Sequence, residues 1–169
     1  MKRLCLSILA AAVFTLPQFL HAQLAIYGAG TGALFSHTNK DVGYGGMAGI
    51  YKQGGHFANL IALGIDLRGT WVGRDGFGYH TYAAGPRLQL KPHFIPLNPY
   101  IEGLVGAANY NNGKGTNSVT HLNYQIVAGL DATLLPHFDW RVIDAAYSGV
   151  SGQSINAVTL STGFVIRLW

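Results

Sequence analysis

"LGIDLRGTW", residues 63 to 71, alternates with a period of two. Leu63, Ile65, Leu67, Gly69 and Trp71 fall on one face, and Gly64, Asp66, Arg68 and Thr70 on the other. Successive side chains of a β-strand point to opposite faces, so this strand has an apolar side and a side of glycine, hydroxyl and ions. A half-buried strand in a water-soluble protein alternates too. Its polar side meets water, however, and is seldom so rich in glycine. The fold turns on which side looks at the core.

Composition frames the answer. Of 169 residues, 49% are hydrophobic and only 11% charged, and mean hydropathy is +0.23. Globular chains carry about 25% charged residues, so this balance points to a membrane protein. The first 22 residues read as a secretory signal: Lys2 and Arg3, the apolar "LCLSILAAAVF", a break at Pro17, and "LHA" ending on small Ala22. The expected division is a signal peptide over 1–22 and one domain over 23–169. The only cysteine, Cys5, lies in the signal, so the mature part holds no disulfide. Without Lys2 and Arg3, nine basic and seven acidic residues remain, a net of +2 that argues against a nucleic-acid partner.

After residue 22 no run of about 18 apolar residues exists, which excludes a transmembrane helix there. Instead, eight alternating segments follow, at about 24–35, 43–52, 58–72, 78–90, 99–110, 121–134, 138–147 and 156–169. Turn residues separate them: "SHTNKD", "QGG", "VGRDG", "KPHFIPLN", "NNGKGTNS", "LPH" and "SGVSGQS". The pattern predicts an all-β fold, an eight-stranded antiparallel up-and-down transmembrane β-barrel. The sheet must close, because each unpaired backbone group in lipid costs several kcal/mol. Export puts both termini on the periplasmic side of an outer membrane.

With the apolar faces outward, the barrel interior receives Asp66, Arg68, Arg87, Gln89, Glu102, Gln125, Asp131, Asp144 and Arg167. An eight-stranded barrel is just wide enough for side chains to fill it. Three arginines against four acids is the balance an enclosed ion-pair network needs. Gly28, Gly30, Gly32, Gly64, Gly85, Gly129 and Gly163 are expected inward, making room for the arginines. Tyr27, Phe35, Trp71, Tyr79, Tyr82, Tyr124, Trp140, Tyr147 and Trp169 are expected in interfacial girdles. Arg141 and Asp144 have opposite parity, so the expectation keeps Asp144 inside and lets Arg141 snorkel at the periplasmic rim.

The stretch from "YAAGPRLQL" through "NPYIEGLVGAANY" and "QIVAGLDATLLPHFDWRVIDAAYSGV" to "VTLSTGFVIRLW" resembles the small outer-membrane β-barrel family related to the OmpA transmembrane domain, its acidobacterial members in particular. Gly85-Pro86-Arg87, Glu102 with Gly106, Gly129-Leu130-Asp131, Arg141 with Asp144 and Tyr147, and the closing Gly163-Phe164-Val165-Ile166-Arg167 carry the likeness, over about the last 90 residues. The resemblance implies insertion by the barrel-assembly machinery, which reads a last strand ending in an aromatic. Phe164, Ile166, Leu168 and Trp169 would form that signal, although Leu168 rather than Trp169 is in phase with the outward residues. The peptidoglycan-binding domain of longer relatives has no counterpart in these residues.

A lipid A deacylase barrel is the sharpest enzymatic rival. Its resemblance would require a His-x-Ser pair near the outer end of the seventh strand and a later Glu. Here Ala146 stands where the His would be, Ser148 lacks that base, and no Glu follows Glu102. The six histidines of the mature chain show no metal-ligand spacing, and Gly28-x-Gly30-x-x-Ala33 lacks the βαβ context of a dinucleotide site. The reading is therefore a structural, non-enzymatic barrel with no cofactor or metal, with outer-membrane lipid and the assembly machinery as partners and a monomeric state favoured. The alternatives are a narrow pore, a ligand- or surface-binding barrel and, behind these, a lipid A-modifying enzyme.

Overall fold

Alternation at this length gives one continuous sheet that closes on itself. A computed structural model describes residues 23–36, 42–57, 60–74, 77–92, 94–111, 120–152 and 156–168. The strands are β1 (Gln23–Ser36), β2 (Val42–Phe57), β3 (Ile61–Arg74), β4 (Phe77–Leu90), β5 (Leu97–Asn111), β6 (Thr120–Leu135), β7 (Phe138–Val150) and β8 (Asn156–Arg167). Each pairs antiparallel with its chain neighbours, and β1 pairs with β8 from Ala25↔Arg167 to Ser36↔Asn156, so the barrel is closed. At about 3.3 Å per residue and a tilt of about 40°, such strands rise about 30–40 Å, enough for a hydrocarbon layer of about 30 Å. Among the described residues no helix is long and apolar enough to cross a membrane. The proposed signal, 1–22, lies outside them.

Direction, not hydrophobicity, decides exposure. Ile126 and Val127 are consecutive and both apolar, yet Ile126 is 68% exposed and Val127 1%. Along β3, Leu63, Ile65 and Leu67 are exposed while Gly64, Asp66 and Arg68 are buried. The ions look at the core and the aliphatic side chains look away from it.

Three expectations change. The "QGG" turn is instead part of β2, where the register with β3 shifts between Gln53 and His56. A bulge absorbs an extra residue without ending the strand, so glycines there need not mean a turn. Second, β1 is reversed: Ala25, Tyr27, Thr31, Ala33 and Phe35 are buried, whereas Gly28 and Gly30 are exposed and Gly32 half-buried. The glycine face of β1 also carries Ile26 and Leu34, and these aliphatic side chains point outward with it. Third, Tyr27, Phe35 and Tyr79 are interior and join no girdle, because their rings fill the narrow core. Trp71, Tyr82, Tyr124, Trp140 and Tyr147 are outward; Trp169 lies outside the described residues.

Candidate functional site

The middle of the barrel is a closed ring of alternating charge. Arg68 on β3 meets Asp144 on β7 through both guanidinium tips, each 3.1 Å from a carboxylate oxygen. Arg68 Nη2 also donates to Glu102 Oε2 at 2.6 Å. Glu102, on β5, bridges to Arg87 Nη1 on β4. Arg87 Nη2 reaches Asp131 Oδ2 on β6 at 2.8 Å. Asp131 Oδ1 accepts from Arg141 Nε at 3.0 Å, and Arg141 Nη1 lies 3.6 Å from Asp144 Oδ2. Three arginines and three carboxylates thus return to their starting point, all of them buried. Each carboxylate serves two cations, which offsets the several kcal/mol per ion that removal from water costs.

Arg141 is therefore no rim residue. It is fully buried. The parity conflict with Asp144 is resolved by a bulge at Val142. Arg141 pairs with Gly163 and Asp144 with Ser161, so two β7 residues face one β8 residue, Thr162. On the other side Ile143 pairs with Leu130 and Arg141 with Asp131, which leaves Val142 over. A bulge re-aims a side chain in this way. The carbonyl of Arg141 accepts a hydrogen bond from the outward hydroxyl of Thr162 at 3.0 Å, and that hydroxyl accepts one from Trp140 Nε1 at 3.2 Å.

Aromatic rings complete the cross-section. The Arg87 guanidinium sits 3.7 Å from the Tyr100 ring centre and 4.3 Å from that of Tyr51. Arg141 sits 4.0 Å from the Tyr27 ring centre. Such cation–π contacts are worth about 2 kcal/mol when desolvated. The tyrosine hydroxyls also work: Tyr100 donates to Asp144 Oδ2 at 2.6 Å and Tyr27 to Asp66 Oδ1 at 2.8 Å. Room comes from glycines. A Cβ on Gly129 would stand 2.2 Å from the Tyr100 ring, and one on Gly49 2.3 Å from the Tyr27 hydroxyl.

The remaining residues that alternation turns inward sit around this ring. Asp66 is its surplus acid, 3.7 Å from Arg68 Nε and with Oδ2 lacking a hydrogen-bond partner. Gln89 accepts a hydrogen bond from Gln53, and Gln125 donates to Thr81 and Asn123. Arg167 stands apart from the ring, partly exposed and 2.9 Å from Asp139 at the barrel end that carries the termini. Beside it, Lys91 donates to Gln23 at 2.7 Å, and burial, with Arg167 adding to it, pushes the Lys91 ammonium down to about 8. Beyond the ring, a hollow of about 10 Å³ lies among Arg68, Thr70, Tyr79, Thr81, Gln125 and Ser148, room for about one water. Phe164, Ile166 and Leu168 are outward and exposed.

Ser148 points inward and is buried. Its partners are the Tyr79 hydroxyl at 2.8 Å and Asn123 Nδ2 at 2.7 Å, neither of which is a general base at neutral pH. Among the described residues no group of three or more His, Cys, Asp or Glu could hold a metal. Alternation alone could not show Arg141 and Tyr27 as members of the site; Tyr100 shares the parity of Glu102 and Tyr51 that of Gln53, but nothing in the pattern marks their rings as cation partners. For Arg141 the signal is its opposite parity to Asp144, which a bulge between them resolves.

No protein-family model and no curated protein sequence matches the chain. Solved structures do resemble it. Ail, the attachment invasion locus protein of Yersinia pestis, is 18% identical with a TM-score of 0.52, over 87% of this chain and 97% of Ail. The outer membrane enzyme PagL is 16% identical with a TM-score of 0.53, over 83% of this chain and 98% of PagL. The N-terminal β-barrel domain of Pseudomonas aeruginosa OprF is 16% identical with a TM-score of 0.50, over 86% of this chain and all of that domain. The chain has the fold of the small eight-stranded outer-membrane β-barrels. One of these neighbours is an enzyme, and likeness at this identity shows the fold alone, so the activity stays open.

Proposed function

We propose that this protein is a structural, non-enzymatic barrel of the outer membrane, with both termini periplasmic, inserted by the barrel-assembly machinery and surrounded by lipid. One observation carries the reading: the ring of Arg68, Glu102, Arg87, Asp131, Arg141 and Asp144 crosses the barrel interior. Ions would have to break paired, desolvated charges to pass, so the barrel is a sealed wall element and not a pore. The inward, base-free setting of Ser148 argues in the same direction against a lipid-modifying hydrolase.

The test is expression, isolation from the outer-membrane fraction and reconstitution. Unboiled and boiled protein should migrate differently on a gel, planar-bilayer recording should give no steady openings, and the mass spectrum of host lipid A should be unchanged. Steady ohmic openings would replace this reading with a pore, and altered lipid A acylation would replace it with an enzyme.

A further inference from the structure

From the ring towards the barrel end away from the termini, the interior is layered two residues at a time. On β3, Arg68 belongs to the ring, Thr70 to the next layer and Val72 to the last, all of them buried. In the last layer Phe35, Val72, Tyr79, Ala108, Val150 and Ala157 pack into one apolar cluster, with the Phe35 and Tyr79 rings edge-on at 5.5 Å. The layer between is polar, and most of it is satisfied from within. Thr31 shares a hydrogen bond with Ser161, Gln125 donates to Thr81, and Ser148 is held by Asn123 and Tyr79. Three groups differ. Among the described residues the buried hydroxyls of Thr70 and Thr159 make no hydrogen bond, and neither does Arg68 Nε. All three residues line the hollow of about 10 Å³ described above.

We infer that this hollow is a binding site for one water molecule, held by Thr70 Oγ1, Thr159 Oγ1 and Arg68 Nε. A buried water typically makes about three hydrogen bonds, and a space of this size holds one. The water accepts from the guanidinium N–H and exchanges hydrogen bonds with the two hydroxyls, groups that are costly to bury unpaired. Ions fit worse. A cation would face Arg68 with no carboxylate on the lining. A halide would add negative charge to an interior where Asp66, Glu102, Asp131 and Asp144 already outnumber Arg68, Arg87 and Arg141. The site also has no open side: the ion-pair ring closes it on one side and the apolar cluster on the other. The water is therefore trapped, and it ties the ring to the hydroxyl layer through Arg68.

The test is a crystal structure of the barrel at a resolution that shows ordered solvent, from crystals grown in bromide. The expected map has a single peak within hydrogen-bond reach of Thr70 Oγ1, Thr159 Oγ1 and Arg68 Nε, without anomalous signal. In Thr70→Val with Thr159→Val, which keeps the side-chain shapes, the peak should be lost. The wild-type map decides by itself if that variant does not fold. Trapping is read separately, by deuterium exchange of the arginine Nε–H groups followed with nitrogen-15 NMR in micelles. Phe35→Ala opens the apolar cluster and should speed exchange at Arg68 while leaving Arg87, whose Nε is buried on the far side of the ring, unchanged. A featureless hollow, a bromide signal in it, a peak that survives the double substitution, or Arg68 exchange that Phe35→Ala does not alter overturns the inference.

Discussion

Arg141 and Asp144 are three residues apart on one strand, yet both point into the barrel, with Arg141 Nη1 3.6 Å from Asp144 Oδ2. Strict alternation forbids this, and the extra residue Val142 permits it. Deleting Val142 leaves the two side chains separated by one residue, so both still face inward without a bulge. The deletion variant should refold, with stability within about 1 kcal/mol of wild type. Deleting Ala145 instead should abolish folding, because every later β7 side chain changes face. Heat-dependent gel migration separates the two outcomes.

The ring makes its members unequal to the spare acid. Arg87→Met takes one of their two cations from both Glu102 and Asp131 in the core and should cost about 3–5 kcal/mol. Asp66→Asn removes the surplus carboxylate, keeps an acceptor for the Tyr27 hydroxyl, and should cost less than about 1 kcal/mol. Urea titrations of the barrel in vesicles measure both.

At the bulge, Thr162→Val removes the hydroxyl that donates to the Arg141 carbonyl and accepts from Trp140 Nε1. On an outward face without water the carbonyl then goes unsatisfied, at about 1–3 kcal/mol. The same urea titration reads this loss. Thr162→Ser, which keeps the donor, should recover most of it.

Lys91 gives the barrel a pH dependence that can be signed. Its folded ammonium is pushed down to about 8, below the unfolded value of about 10.4. Between those values the unfolded chain holds more protons than the folded one, so stability rises with pH and levels off above both. In Lys91→Met this rise should be missing. The check is the difference in urea midpoint between the two proteins at about pH 7.5 and about pH 10.

Much of this architecture is written in alternation. On β3 to β6 one parity carries Asp66, Arg68, Arg87, Glu102 and Asp131, and aliphatic side chains hold the other, so the faces separate cleanly. β1 does not separate in that way. Its choices were glycine against alanine and tyrosine, and only the position of Tyr27 beside Asp66 shows which side is inside. The bulge at 53–56 leaves no mark in the alternation, and the one at Val142 shows only as the parity conflict between Arg141 and Asp144, its place being set by the registers with β6 and β8. Arg141 was hidden for that reason. So was the division of charges into a three-by-three ring with Arg167 and Asp139 paired separately.

The whole account depends on which side of the wall touches hydrocarbon, and a carbene-generating probe dissolved in the acyl-chain region reads that directly on the unmodified protein. Mapped by tandem mass spectrometry, the label should fall on Ile65, Leu67 and Ile126 and spare Asp66, Arg68 and, although it is just as apolar, Val127. Label on Asp66, Arg68 and Val127 with Ile65 and Ile126 protected would contradict the account.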